Sequence, residues 1–380
     1  MMTLRRGSVL LFSLVIMGVV TLMTQQLIKS VSVGSFFSAT MVHREQAEML
    51  ALGGINLAIA QLQKGMVPDK KKQEQLSGAP VQQAEAAKKF PYTTFIREVL
   101  PHLDRWQLFN LTEERDGIEG SMQICISCEE GKVPLQAVYD EKRGEIKPAI
   151  KALFKSFGIK KKLADGSMTV KLGTFFKKRR HRVTDVSALA SIAADTHLPL
   201  WYEPVPAANP EARAKAPGPP RDIALQNVFT TWNKGGKISP LLLSDSLAAV
   251  LKLRRPQGTD PYKRKANYEE LAKKYVPAIS KGNEIVWKAL QGIWEAKPKL
   301  SKELLDLFSP VVEPRFFSVL SCGKVAGVKQ TALAILERVE RDNKTAQEGN
   351  TKQSPPSTQK KAASSKPARP LFKIRRVYWV

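Results

Sequence analysis

The amino-terminal residues of the chain form a long apolar run. It begins at Ser8, directly after two arginines and Gly7, and it meets no charged side chain until Lys29. About 20 apolar residues, each rising about 1.5 Å along a helix, are enough to cross the hydrocarbon core of a bilayer. The pattern therefore predicts a transmembrane helix over residues 8–28.

The helical pattern continues beyond the predicted span. No proline occurs from Lys29 to Gln63, and apolar or small residues recur at helical spacing. We therefore predict one continuous helix over residues 8–63, about 85 Å long. Because Arg5 and Arg6 precede the span, the positive-inside rule places the short amino terminus in the cytoplasm and the bulk of the chain outside.

Two simpler classes of protein share part of this pattern. A cleaved secretory signal has an apolar run of about 7–15 residues followed by a small-residue cleavage site, whereas this run is longer and no such site follows it. An ordinary single-pass anchor explains the hydrophobicity. It does not explain the junction at Gly7 or the unbroken helix after the span.

Alternating apolar and polar residues predict strands in two regions. Residues 121–128 place Met122, Ile124, Ile126 and Cys128 on one face. A turn at residues 129–132 leads to an expected partner strand over 133–139. Near the carboxyl end, residues 315–339 predict a hairpin of two long strands.

The middle of the chain has helical patterns interrupted by prolines. We predict helices over residues 148–157, 183–194, 222–232, 268–275 and 283–295, and irregular loops over 64–89 and 199–220. Residues 342–370 have almost no apolar side chains, so we expect a disordered loop there. The β-prone, aromatic residues 371–380 then predict a last strand that docks on the sheet.

The amino terminus resembles that of the type IV pilins and of the pseudopilins of type II secretion. The shared features are a short basic leader ending in Gly7, an apolar run from Ser8, and the segment Gln-Ala-Glu-Met-Leu-Ala-Leu-Gly at residues 46–53. The resemblance implies that a prepilin peptidase removes residues 1–7 by cutting between Gly7 and Ser8, and that the new amino terminus is methylated.

Phe12 narrows the resemblance to one subclass. Most pilins carry a glutamate five residues into the mature chain, where this chain has Phe12. In lacking this glutamate, the chain resembles the minor pseudopilin called general secretion pathway protein K. Residues 138–148, 237–251 and 315–339 resemble further elements of that family. Since the glutamate is thought to neutralise the amino terminus of a neighbouring subunit, its loss implies a place at the tip of the fibre.

The implied fold class is α+β, with a long amino-terminal transmembrane helix and a pilin-like antiparallel sheet that carries an inserted α-helical domain. The corresponding divisions are a leader (1–7), the helix (8–63), the first pilin-like part (90–147), the inserted helical domain (148–308), the second part of the sheet (309–341), the disordered loop (342–370) and the last strand (371–380).

The resemblance also implies a function and partners. The chain would be a structural minor pseudopilin in the inner membrane, with its bulk in the periplasm, taking part in protein secretion. Its partners would be other minor pseudopilins, the major pseudopilin, the inner-membrane assembly platform and the prepilin peptidase. Two alternatives stay open: a minor pilin of a type IV pilus or DNA-uptake system, and a single-pass membrane scaffold protein.

The net charge of +25 over 380 residues adds a candidate surface. Residues 151–182 hold eleven lysines and arginines against one acid, and the densest part is Lys177, Lys178, Arg179, Arg180 and Arg182. The patch can be a solvated face, a contact for anionic lipids or acidic substrates, or a DNA contact. We do not predict nucleic-acid binding, because aromatic side chains are not interleaved with the charges.

The sequence carries no recognisable catalytic motif, and we predict no enzyme activity and no cofactor. Calcium binding is implied only by the family resemblance. The nearest candidate ligands are Glu113, Asp116 and Glu119, for which an exposed turn is the simpler interpretation. The three cysteines, Cys125, Cys128 and Cys322, are too few for a closed zinc site. A disulfide from Cys125 or Cys128 to Cys322 and plain buried thiols are both compatible with the sequence.

Overall fold

The computed structural model describes residues 4–66, 92–140, 142–156, 167–178, 183–196, 199–201, 224–233, 235–251, 253, 261–279, 283–290, 302–309, 313–339 and 371–380. The fold is α+β: a long apolar helix at the amino terminus packs against an antiparallel sheet. This confirms the predicted fold class. The division into domains proposed from the sequence stays a prediction.

Before and within the first part of the sheet, the helices and strands are α1 (Leu4–Gly65), α2 (Tyr92–Glu98), β1 (Trp106–Leu111), α3 (Glu113–Asp116) and β2 (Gly120–Cys128). The long helix is unbroken, as predicted, and its 62 residues correspond to a length of about 93 Å.

A long excursion separates β2 from the next strand of the main sheet. Its elements are β3 (Val133–Pro134), β4 (Tyr139–Asp140), β5 (Glu145–Ile146), α4 (Pro148–Ser156), α5 (Ser167–Lys178), α6 (Ala190–Thr196), α7 (Leu225–Val228), β6 (Phe229–Thr230), α8 (Asp245–Val250), α9 (Pro261–Ala278), α10 (Asn283–Leu290) and α11 (Lys302–Leu305). The predominance of helix agrees with the helical patterns in this part of the sequence.

The chain then returns to the main sheet as β7 (Phe316–Val325), β8 (Val328–Val339) and β9 (Leu371–Trp379). Within the described residues the sheet has the order β1-β2-β7-β8-β9, and all neighbours are antiparallel. The predicted hairpin over residues 315–339 and the docked last strand are therefore confirmed. The helix α1 packs mainly over β7, β8 and β2.

The two faces of the sheet are covered differently. Side chains such as Ile124 and Ala334 point toward α1 and join a core that extends into the helices of the excursion. On the other face, Cys125, Leu320 and Leu333 form a separate buried cluster beneath Trp201 and Tyr378. The sheet thus has apolar contacts on both faces.

The predicted partner strand of β2 is wrong. Val133–Pro134 pairs in parallel with Phe229–Thr230, and residues 135–137 form a 3-10 helix. The partners of β2 are β1, which the sequence analysis did not assign, and β7. One physical reason is Pro134, which has no backbone N–H to donate to a longer ladder.

The helix predicted over residues 222–232 is also largely wrong. Within the described residues, helix α7 covers only Leu225–Val228, and the chain continues directly as strand β6. The predicted loops over 67–89 and 202–220, the end of the predicted helix at 291–295, and the disordered loop over 342–370 lie outside the described residues.

Candidate assembly surface on the long helix

The carboxyl-terminal half of α1 is fixed to the sheet by a stripe of small and apolar residues. At spacings of three and four, which lie on one side of a helix, this stripe is fully or nearly fully buried and consists of Ala47, Ala51, Ile55, Ala58 and Leu62. Glycines allow the close approach. A Cβ at Gly54 would lie 2.1 Å from the Ser321 Oγ of β7, so only glycine fits there without rearrangement.

No other described element supports the amino-terminal half of α1 in this way. Beyond position 10, where side chains are described, its large apolar residues up to Val42 are all exposed: Leu11, Phe12, Leu14, Val15, Ile16, Met17, Val19, Val20, Leu22, Met23, Leu27, Ile28, Val31, Val33, Phe36, Phe37, Met41 and Val42. By length and composition this helix can cross a membrane. Within the described residues, one helix therefore combines a packed half and an apolar half that is exposed on every side.

The predicted processing and tip residues lie in the bare half. The backbone at Gly7 and Ser8 is helical and continuous with the rest of α1. Phe12 is 69 % exposed among the described residues. The structure places these residues on one helix. Their roles in processing and in tip placement stay predictions.

The acidic residues suggested as calcium ligands do not converge. Glu113 and Asp116 lie in the short helix α3, and Glu119 lies in the exposed turn that follows it. The Arg115 guanidinium donates to the Asp116 carboxylate at 2.9 Å and, together with the Thr112 N–H, lowers the pKa of Asp116. Within the described ranges, no group of three or more side chains is arranged to hold a metal ion.

The basic patch is only partly described. Lys177 and Lys178 are exposed at the carboxyl end of α5, where positive charge is favourable for the helix dipole. Neither lysine forms an ion pair with another described residue. Arg179, Arg180 and Arg182 lie outside the described residues, so the predicted anionic contact stays a prediction.

Comparison with known proteins adds a similar solved structure. No family model matches the chain, and no curated protein matches its sequence. The crystal structure of the GspK-GspI-GspJ complex from the type 2 secretion system of enterotoxigenic Escherichia coli is similar over 90 % of this chain and 99 % of that one, with 12 % sequence identity and a TM-score of 0.39. This sequence identity and this TM-score are too low to carry a functional argument, so the functional conclusion rests on the residues of this chain.

The three cysteines are free, buried thiols. Cys125 and Cys128 point to opposite faces of β2, because Cys125 belongs to the small outer cluster and Cys128 to the main core. Burial raises the pKa of both thiols well above the ordinary value. Of the two arrangements that the sequence allowed, the structure has plain thiols.

A group of buried charges at the end of β2 was missed by sequence reasoning. The sequence predicts a turn over residues 129–132; in the structure Glu129–Gly131 forms a buried 3-10 helix that ends at Lys132. Lys132 is 0 % exposed, and its Nζ donates to Glu129 Oε1 at 2.5 Å and to Ser318 Oγ at 3.0 Å. The second Glu129 oxygen accepts from Thr230 at 2.5 Å. Each carboxylate oxygen is thereby satisfied, as a buried charge requires.

Glu130 connects the same turn to the start of β7. Its Oε1 accepts the backbone N–H groups of Arg315 and Phe316 at 3.1 and 2.9 Å, and its Oε2 accepts from the Cys128 thiol at 3.0 Å. Burial raises the pKa of Glu130 from the ordinary 4.5 to about 7. This carboxylate holds the point at which the chain re-enters the sheet.

Gly131 allows a close approach between this turn and the excursion. A Cβ there would lie 1.5 Å from the carbonyl oxygen of Leu242. The backbone also bonds directly to the excursion, since Ser239 N–H donates to the Glu130 carbonyl and Ser244 N–H to that of Gly131. Glu129–Lys132 therefore forms the joint between the sheet and the helical excursion.

Proposed function

We propose that the chain is a structural minor pseudopilin, a membrane-anchored subunit at the tip of a periplasmic type II secretion pseudopilus. The observation that carries this proposal is the division of α1. One unbroken helix of 62 residues is packed on an antiparallel sheet along its second half and is apolar and bare along its first. Such a helix can leave the bilayer by exchanging lipid contacts for contacts with other apolar helices.

The exposed apolar surface of α1 is longer than a membrane span, which supports contacts with other proteins outside the membrane. Exposed apolar residues extend from the predicted span to Val42. Residues 8–42 correspond to about 52 Å of helix, whereas the hydrocarbon core is about 30 Å thick. A surplus of about 20 Å, which carries Phe36 and Phe37, would face water unless apolar protein covers it. Parallel helices of other minor pseudopilins and of the major pseudopilin are suited to that role.

Phe12 supports the place at the tip. An apolar side chain at this position cannot neutralise the amino terminus of an adjacent subunit, so the subunit requires nothing above it. Removal of residues 1–7 by a prepilin peptidase and extraction by an inner-membrane assembly platform complete the proposal. The bulk of the chain then lies in the periplasm, on the side opposite Arg5 and Arg6.

The deciding experiment is mass spectrometry of the mature amino terminus of the protein isolated from membranes of its native host. A chain that begins at Ser8, with a methylated amino group, is the expected result. A chain that still begins at Met1 or Met2 would contradict the proposal and leave an ordinary anchored scaffold protein.

A minor pilin of a DNA-uptake system is the second candidate. Lys177 and Lys178 favour it, because they are exposed and form no ion pair with another described residue, so their side chains are available to phosphate groups. It predicts that the detergent-solubilised protein binds duplex DNA with an affinity that falls steeply with salt. A Lys177→Glu and Lys178→Glu double variant should then bind more weakly, and binding insensitive to both changes would contradict this candidate.

A further inference from the structure

Strand β9 has an apolar face that the rest of the described structure leaves open. Phe372, Ile374, Val377 and Trp379 lie opposite Arg338, Leu336, Ala334 and Ala332 of β8 in the register of the sheet. Directly opposite residues share a face, and Ala332 and Ala334 lie beneath α1. These side chains of β9 therefore stand on the same face as α1.

The exposure of this face is unusual for its composition. Ile374, Val377 and Trp379 are 44, 38 and 50 % exposed, although no charged residue of β9 shares their face. The charged residues lie elsewhere on the strand. Arg376 pairs with Asp185 at 3.0 Å on the opposite face, and Arg375, at the bulge, pairs with Glu337. Alternation of this kind is typical of a strand covered on its apolar side.

The flank of α1 that faces β9 is also apolar. On its other flank, Gln61 exchanges two hydrogen bonds with Gln107 of β1, at 2.9 and 3.2 Å. At 100° per residue, the side of the helix away from β1 carries Leu52 and Ile59. Leu52 is exposed and Ile59 half-buried. We name the surface formed by Leu52, Ile59, Ile374, Val377 and Trp379 the α1–β9 groove.

The dimensions of the groove fit a second helix. Gly54 of α1 packs on Ser321 of β7, Ser321 pairs with Ala332, and Ala332 pairs with Trp379. At the level of Gly54, two strand spacings of about 4.8 Å place Trp379 about 10 Å to the side of α1, and elsewhere along its length α1 approaches β9 more closely. That offset matches the distance of about 8–10 Å between the axes of packed helices. From Ile374 to Trp379 the groove is about 17 Å long, or about three helical turns.

We propose that the α1–β9 groove holds an apolar helix of a neighbouring membrane-anchored subunit, running alongside α1. This inference deepens the proposed function and rests on it. The bare half of α1 already requires apolar helices beside it, and the same flank carries the exposed Met41 below the groove. A helix that follows this flank away from the membrane reaches Trp379 and then covers Val377 and Ile374. The groove thus extends the helix-packing surface onto the sheet.

The test is photocrosslinking in the full-length chain, in membranes of the native host, with benzoylphenylalanine placed at one position at a time. Position 377 reports on the groove. Position 373 is the matched control, because Lys373 is an exposed residue of the same strand that lies outside the groove. The crosslinked peptides are identified by mass spectrometry. We expect position 377 to give an adduct with an apolar helix of another chain and position 373 to give none.

Three results at position 377 would overturn the proposal. They are the absence of an adduct, an adduct with a segment of the same chain, and an adduct with lipid. A second variant checks the contact itself. Val377→Asp, which changes an exposed side chain and should fold, is expected to abolish the adduct formed from position 374, whereas Lys373→Asp should preserve it. Loss of the adduct in both variants would contradict a groove-specific contact.

A probe at position 37 separates this inference from the proposed function. Phe37 lies in the bare half of α1, away from the groove. If position 37 forms adducts with other helices and position 377 does not, the groove proposal fails and the pseudopilin proposal stands. If position 37 forms adducts with lipid only, helix packing along α1 fails, and with it both proposals.

Discussion

Gly323 of β7 and Ala47 of α1 touch backbone to backbone. A Cβ at position 323 would lie 2.2 Å from the Ala47 carbonyl oxygen and 3.0 Å from the Ala51 nitrogen. No change of side-chain rotamer can relieve these contacts, because both belong to the main chain of the helix. The separation of α1 from the sheet is therefore set by a glycine in the strand.

Gly323→Ala should weaken the packing of α1 on the sheet and destabilise the protein. The added methyl group must displace the helix, and overpacking of this kind typically costs about 1–3 kcal/mol. The measurement is unfolding of the full-length protein in detergent, followed by tryptophan fluorescence. Gly53→Ala is the control, since a Cβ there meets nothing within 4 Å. It should stabilise the helix by about 0.5–1 kcal/mol, and an equal loss in both variants would contradict the close contact.

Ala326, in the turn between β7 and β8, is not the residue type that the backbone conformation of this turn favours. Its two central residues, Ala326 and Gly327, have φ angles of 47° and 86°, and Val325 pairs with Val328 around them. Two positive φ angles are characteristic of a type I′ turn, in which Asn-Gly is preferred. Ala326→Asn should therefore stabilise the protein by about 1 kcal/mol, since a non-glycine residue at positive φ costs about 1–2 kcal/mol unless its side chain is Asn or Asp.

Gly327→Ala is the matched opposite of that change. It places a Cβ at a φ of 86°, so it should destabilise the hairpin even though the position is open to solvent. Both variants are measured by thermal unfolding in detergent. A decrease in stability with Ala326→Asn would contradict the turn assignment.

How much of this fold the sequence predicts depends on the range of the interactions. α1 and the β7–β8 hairpin follow from local patterns, and they were predicted correctly. The buried joint at residues 129–132 was not. Charged residues beside a glycine indicate a surface turn, whereas Glu129 and Glu130 find their partners 101 and 186 residues away, at Thr230 and Phe316. No local signal specifies such partners.

β1 was missed for a related reason. Its residues are half-buried or exposed, so no buried apolar run marks the strand, and its pairing with β2 is a tertiary contact. The apolar face of β9 could be read from alternation in the sequence. Its exposure could not, because it depends on where α1 lies across the sheet.

Lys132→Met tests the buried ion pair of the joint. Removing the ammonium group leaves the Glu129 carboxylate buried with Thr230 as its remaining partner, and breaking a buried pair typically costs about 3–5 kcal/mol. The control is Lys151→Met, which removes a pair with Glu145 at 2.7 Å whose side chains are 40 and 44 % exposed. An exposed pair contributes about 0–1 kcal/mol. Urea unfolding that ranks the two variants equally would contradict the structural role of Lys132.

Glu130 should make stability fall as the pH rises. Its folded pKa of about 7 lies above the ordinary 4.5, so the folded protein binds this proton more tightly than the unfolded chain. The cost of ionising Glu130 in the folded protein is absent below about pH 4.5 and complete above about pH 7. The difference in pKa corresponds to about 3 kcal/mol.

Glu130→Gln removes this titration and keeps an oxygen that can accept from Arg315 and Phe316. Between pH 5 and pH 8, we expect the free energy of unfolding of the variant to rise relative to that of the natural protein. The gain should reach about 3 kcal/mol, the cost of ionising Glu130 in the folded protein. Urea unfolding at several pH values measures the difference. Comparison of the two proteins cancels other titrating groups, such as Asp116. A difference that stays constant with pH would show that Glu130 does not titrate in this range.

Phe12→Glu tests the role of the bare helix in tip placement. A glutamate at this position can pair with the amino terminus of a subunit above it, so the variant should be incorporated within the fibre as well as at its end. The control is Leu11→Glu, which adds the same charge at the same depth on another side of the helix, where the natural residue is also exposed. Immunogold labelling of isolated fibres measures the position of each variant. Internal labelling with Phe12→Glu and not with Leu11→Glu is the expected result. Labelling at the end with both, together with unchanged secretion, would show that Phe12 does not determine the place of the subunit.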